Sequence, residues 1–201
     1  MRTRWAELVA LFAAVALAAP ILAVEGAGQQ QPPLLETIQS QIADRHGVAW
    51  SASRKLTWDD FSGAVANADV DEAAHLEYGL FYGVRCSGRT LEFRVITAML
   101  PADSWVLRTA IASPADSARM LQHEQTHFDL AEVHARKMRK YFDGLYEPCL
   151  RSNDDLSALA DGLMKTEIAE QKRYDDETRN GRRADKQKAW EVDVASRLGE
   201  R

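Results

Sequence analysis

Ser113-Pro114-Ala115-Asp116, followed by Leu121-Gln122-His123-Glu124-Gln125-Thr126-His127-Phe128-Asp129-Leu130-Ala131-Glu132, is the stretch whose reading decides the fold. Ser113 is a good N-cap, Pro114 suits the first helical position, and Asp116 is an acid three residues after the cap. Met120, Leu121, His127, Leu130, Ala131, His134 and Met138 recur at helical spacing, and Gly144 with Pro148 marks the far end. The pattern predicts a helix of about 28 residues. Near its middle lies the H-E-x-x-H pentapeptide His123 to His127. Residues four apart share one helical face, so both imidazoles can reach one ion. Glu124, about 100° around the axis, can reach a water beside that ion. Such spacing is how a zinc hydrolase is built.

Two histidines alone hold zinc loosely, and a catalytic site wants a third protein ligand. This helix cannot supply it. Glu132 lies about 180° around from His123, Asp129 about 200° around from His127, and His134 some 10 Å too far along the axis. Glu132 and Asp129 are expected outside the ligand set, accepting a ring N–H or pairing with Arg136, and His134 as a helix-surface histidine.

A second helix opens at Ser152-Asn153-Asp154-Asp155 and stops at Asn180-Gly181. Its stripe is Leu156, Leu159, Leu163 and Tyr174, with Glu167 among them. A carboxylate on a buried stripe is costly unless paired or metal-bound, so Glu167 reads as a ligand, an ion-pair partner or an exposed group near the helix end. Tyr174-Asp175-Asp176-Glu177 offers other carboxylates, and a third, shorter helix holds Trp190, Val194 and Leu198.

Upstream the period changes to two. Leu76, Tyr78, Leu80, Tyr82, Val84 and Cys86 share one face; Ser87-Gly88-Arg89 turns the chain; Leu91, Phe93, Val95 and Thr97 alternate with Glu92, Arg94 and Ile96 until Leu100-Pro101. This is an antiparallel hairpin with one face to be covered. His75 reads as an ordinary strand histidine or as part of a cleft wall. Before it, Leu56-Thr57-Trp58-Asp59-Asp60-Phe61 reads as a packed Trp beside an acid-closed turn. The expected fold class is therefore α+β: a small antiparallel sheet, its hairpin at about 74–100, packed on a helical part with the H-E-x-x-H helix and a second long helix, in a zincin-like arrangement.

Arg2 and Arg4, the apolar run Leu8 to Ala19 and Pro20-Ile21-Leu22-Ala23 read as a signal peptide over residues 1–23. The run is shorter than the ~20 residues a membrane span needs, so no stable membrane insertion is expected after cleavage. Residues 24–50 read as a linker, Gly26 to Pro33, and a short helix near Leu34 to Ile42; residues 51–198 read as a single domain. A periplasmic or secreted location follows, and in an oxidising compartment Cys86 and Cys149 are expected to pair. The formal charge is -5. Basic residues are interspersed with acids except near Arg182-Arg183, which argues against a nucleic-acid partner.

The chain resembles a bacterial family of predicted secreted zinc-dependent proteases, an uncharacterised domain family. The likeness runs from about residue 50 to 192, through Leu56-Thr57-Trp58-Asp59-Asp60-Phe61, Ala73-Ala74-His75, Ser104-Trp105-Val106, the Leu121 to Glu132 stretch, Tyr174-Asp175-Asp176-Glu177-Thr178, Gly181 and Trp190. In the family pattern a histidine precedes the glycine; here that position is Asn180. The resemblance implies peptide-bond hydrolysis on a peptide or protein substrate with a Zn2+ cofactor. The expected ligands are His123, His127 and Asp175, with Glu167 and Glu177 as alternatives for the third. Glu124 is the expected general base, and Tyr174 or Asn180 would stabilise the oxyanion. The rival reading is a catalytically inactive envelope protein of the same fold that acts as a binding module, and Asn180 is its main support.

Overall fold

A computed structural model describes residues 32–65 and 73–199. The expected signal peptide, and the tether up to residue 31, lie outside the described residues. Four helices and two small antiparallel sheets make an α+β fold, as the alternating and helical periods predict.

Strands β3 (Tyr78–Ser87) and β4 (Thr90–Met99) form the hairpin, in register from Tyr78 opposite Met99 to Ser87 opposite Thr90. Gly88 turns it with φ +61°, a conformation glycine adopts without strain. Strand β1 (Val48–Ala49) pairs with the other edge of β4. Strands β2 (Ala74–His75) and β5 (Trp105–Val106) form the second, two-stranded sheet.

Among the described residues the α-helices are α1 (Leu34–Asp44), α2 (Pro114–Asp143), α3 (Asn153–Thr178) and α4 (Ala184–Gly199). Leu80, Phe93 and Val95 bury one face of the hairpin against Ala135, Met138 and Phe142 of α2 and Leu156 and Ala160 of α3. The Phe93 and Phe142 rings stack with centroids 3.9 Å apart. The opposite face is covered as well. Phe81 and Ile96 pack under Ile38 and Ile42 of α1. The sheet is thus a middle layer, where the period-two reading asked for only one covered face.

Helix α2 is capped as its sequence predicts, with Ser113 Oγ accepting from the Asp116 amide at 3.1 Å. It is also the central helix, and this explains its buried polar residues. Glu132 accepts from Arg136, Arg139 and Thr97, and Asp129 from Trp50, Gln125 and Lys55. Neither meets a histidine ring. His134 is not at the surface: it is buried where α3 packs, with Nε2 2.6 Å from Glu170 Oε2. Among the described residues, no buried side-chain nitrogen or oxygen lacks a partner, which is what makes so polar a core tolerable.

Cys86 and Cys149 form a disulfide that ties β3 to the turn after α2. Trp58 donates to Ser117 Oγ at 2.9 Å while Thr57 and Asp60 cap a short 3-10 turn. No described helix is long and apolar enough to cross a membrane.

Candidate metal centre

One turn of α2 aims His123 and His127 at α3, and α3 answers with Asp175. The two Nε2 atoms lie 3.1 Å apart, with Asp175 Oδ1 at 3.2 Å from His123 Nε2 and 2.8 Å from His127 Nε2. Three donors converging like this form a group that can hold a metal ion. Both rings are also packed against Tyr174, whose centroid is 4.7 Å from each. The side chains therefore have little freedom to leave.

The group sits in the floor of a cavity of about 360 Å³, a size that suits a small ligand or a few residues of peptide. Glu124 lines the same cavity, beside the two histidines. His75 and Tyr78 form the facing wall, and Arg119, Asn180 and Arg182 line it as well. Burial pushes the Glu124 carboxyl up, although the neighbouring His127 and His123 pull against it. Burial alone would also raise Asp175, but His123 and His127 outweigh it and hold that carboxyl well below the usual range. Two acids lining one cavity are thus driven in opposite directions, Asp175 toward the carboxylate and Glu124 toward holding a proton.

The remaining carboxylates on α3 lie elsewhere. Glu167 is 3 % exposed and accepts from the Tyr78 hydroxyl at 2.6 Å and from Gln171 Nε2 at 2.8 Å. It is neither in the converging group nor in an ion pair. Glu177 accepts from Trp190 Nε1 at 2.9 Å, away from the cavity. Tyr174 also departs from its expected role. It is wholly buried, with its hydroxyl donating to Gln187 Oε1 at 2.7 Å and lying 3.3 Å from the His123 carbonyl. That hydroxyl braces the site from behind and does not line the cavity.

Asn180 does line it, on a left-handed turn. Arg179, Asn180 and Gly181 have φ of 52°, 50° and 72°. Asparagine tolerates this region better than most side chains, and at Gly181 a Cβ would come within 3.1 Å of His123. Sequence reasoning passed over Gln171, Gln187 and Tyr78. Gln171 carried a signal: Glu167, Gln171 and Asp175 recur every four residues on one face of α3, a polar continuation of the apolar stripe. Gln187 carried none.

Residues 85–181 match the family described as a bacterial protein of unknown function (DUF922). The DUF922 match is narrower than the likeness read from about residue 50 to 192, and its description names no function. It contains His123, Glu124, His127 and Asp175 but leaves out β2 and α4. No curated protein and no solved structure matches the chain.

Proposed function

We propose that this protein is an exported zinc-dependent metallopeptidase of the bacterial envelope, periplasmic or secreted, that hydrolyses peptide bonds. The observation that carries the reading is the convergence of His123, His127 and Asp175 beside a buried Glu124 in one cavity. Two imidazoles and a carboxylate are a donor set that zinc favours. Bonds of about 2.0–2.2 Å at tetrahedral angles separate donor atoms by roughly 3.3–3.5 Å. The separations of 2.8 to 3.2 Å are shorter than that spacing, so the three donors would spread by up to roughly 0.7 Å to seat the ion. The disulfide agrees with an oxidising compartment.

Held by His123, His127 and Asp175, zinc would supply a Lewis acid able to polarise a carbonyl and to lower the pKa of water to about 7. Glu124 takes the proton of the attacking water and later hands it to the leaving amine. Its raised basicity suits both transfers. The Asn180 amide, on the cavity wall, donates to the oxyanion as the carbonyl carbon becomes tetrahedral. Tyr174 acts from beneath, by holding His123 in place.

A second reading has one specific observation behind it. Asn180 occupies the position where the family pattern has histidine, and an envelope protein that holds a metal without turnover would tolerate that exchange. The two readings separate in one experiment. Bound zinc is measured in the purified chain from residue 24, and wild type is compared with Glu124→Gln on casein and a broad peptide set. Stoichiometric zinc with hydrolysis lost in the variant supports the peptidase. Zinc without hydrolysis in either protein supports the binding module.

A further inference from the structure

Each metal-facing histidine has a second ring nitrogen, and each of those meets a glutamine. His127 Nδ1 lies 2.6 Å from Gln171 Oε1, and His123 Nδ1 lies 3.1 Å from Gln187 Oε1. Either end of a side-chain amide could in principle face a ring, so the orientation has to be argued from the other partners. Gln171 Nε2 sits 3.0 Å from the His127 carbonyl and 2.8 Å from Glu167 Oε1. Both are oxygens without a hydrogen to give. Turning the amide over would set oxygen against oxygen twice, so its Oε1 must face the ring. Gln187 is fixed in the same way: its Nε2 lies 3.2 Å from Glu191 Oε1 and 3.4 Å from Thr126 Oγ1, while its Oε1 receives the Tyr174 hydroxyl.

An amide oxygen only accepts, so the hydrogen of each contact belongs to Nδ1 of the histidine. A neutral imidazole carries one such hydrogen. That leaves Nε2 as the atom of each ring that faces Asp175 Oδ1, at 2.8 Å from His127 and 3.2 Å from His123, and a hydrogen shared there with the carboxylate is the one a metal ion would displace. We infer that Gln171 and Gln187 are positioning residues that hold His127 and His123 as their Nδ1–H tautomers, and so preset Nε2 of each ring as the metal-binding atom. The inference rests on the reading of His123, His127 and Asp175 as ligands.

It also accounts for Glu167, a carboxylate at 3 % exposure whose hydrogen bonds come from Tyr78 and Gln171. Glu167 locks the amide of Gln171 and ties it to the cavity wall through Tyr78. A carboxylate acceptor polarises the amide and strengthens the bond its oxygen accepts. Helix α3 thus orients one ring and α4 the other. Since Gln187 lies beyond the stretch matched to DUF922, the site is not complete within that stretch.

Nitrogen-15 NMR of histidine-labelled protein tests the tautomers directly, metal-free and after titration with zinc. The hydrogen is expected on Nδ1 of His123 and His127 in both forms. A bare Nδ1 in either ring overturns the inference. Gln171→Leu and Gln187→Leu keep most of the volume and remove the acceptor; each is expected to weaken zinc binding by about 10–100-fold in chelator competition. Unchanged zinc affinity in both leucine variants would show that the amides only fill space. Because neither readout involves a substrate, a chain that cleaves no peptide can still pass this test, and an active peptidase can still fail it.

Discussion

Glu124 is the side chain on which the proposed chemistry turns. It touches the cavity without joining the three converging donors. Glu124→Gln should therefore lower kcat by roughly 10²–10⁴-fold while zinc content stays at the wild-type level; loss of zinc along with activity would mean that Glu124 is a ligand. Asn180 makes a different demand. If its amide serves the oxyanion, Asn180→Ala lowers kcat by up to ~10²–10³-fold with KM little changed, read from Michaelis curves on one peptide. A rise in KM alone would place Asn180 in substrate binding. Asp175→Asn, in contrast with Glu167→Gln, should release zinc more readily than loss of any outer partner does. At this scale the pentapeptide was legible because its spacing is the chemistry. Gln187 was not, because an amide on a helix has no sequence mark until the ring it faces is known.

At the scale of elements, α2, α3 and α4 are joined by an ion cluster around Glu170. Its carboxylate meets His134, Arg173 and Arg197, with Lys137 at 3.7 Å. Burial pushes Glu170 up, but Arg197 and His134 outweigh it and hold the carboxyl down at about 2. The folded value is thus below the unfolded one of about 4.3, so this contribution is complete above that pH and is lost as pH falls toward 2. A melting-temperature series from pH 6 to pH 2.5 should fall steeply below about pH 4.5, and Glu170→Gln should flatten that part of the curve. An unchanged profile would mean the cluster is screened by solvent. The other joint between elements is the left-handed turn after α3. Gly181→Ala must adopt φ near 72° and brings a Cβ against His123, so it should cost about 1 kcal/mol or more and weaken zinc binding together with stability. Periodicity showed the existence of each helix and the hairpin. It could not show that α2 lies between the sheet and two helices, which is why His134 looked like a surface residue.

Across the whole molecule, the chain closes a polar core with a covalent tie. The Cys86–Cys149 bond spans 63 residues of sequence, and loss of it should cost roughly 2–5 kcal/mol, seen by calorimetry with and without reductant as a lower melting temperature. The α+β class followed from two periods and two caps, and the pairing of the cysteines from their number and the expected compartment. The covered back of the sheet did not follow, because α1 is short and its partners Phe81 and Ile96 share their strand face with Gly79, Gly83, Arg85 and Arg94. Nor could spacing alone choose Asp175 over Glu167, since both lie on α3 within reach of α2; the choice depends on where α3 crosses α2, which is a tertiary fact. The central claim is that His123, His127 and Asp175 hold zinc. It is tested most directly by elemental analysis of the purified chain after dialysis against micromolar zinc, beside His123→Ala and Asp175→Ala. One zinc per wild-type chain and a large loss in both variants are expected. A wild-type chain that retains no zinc, or variants that retain all of it, would contradict the account.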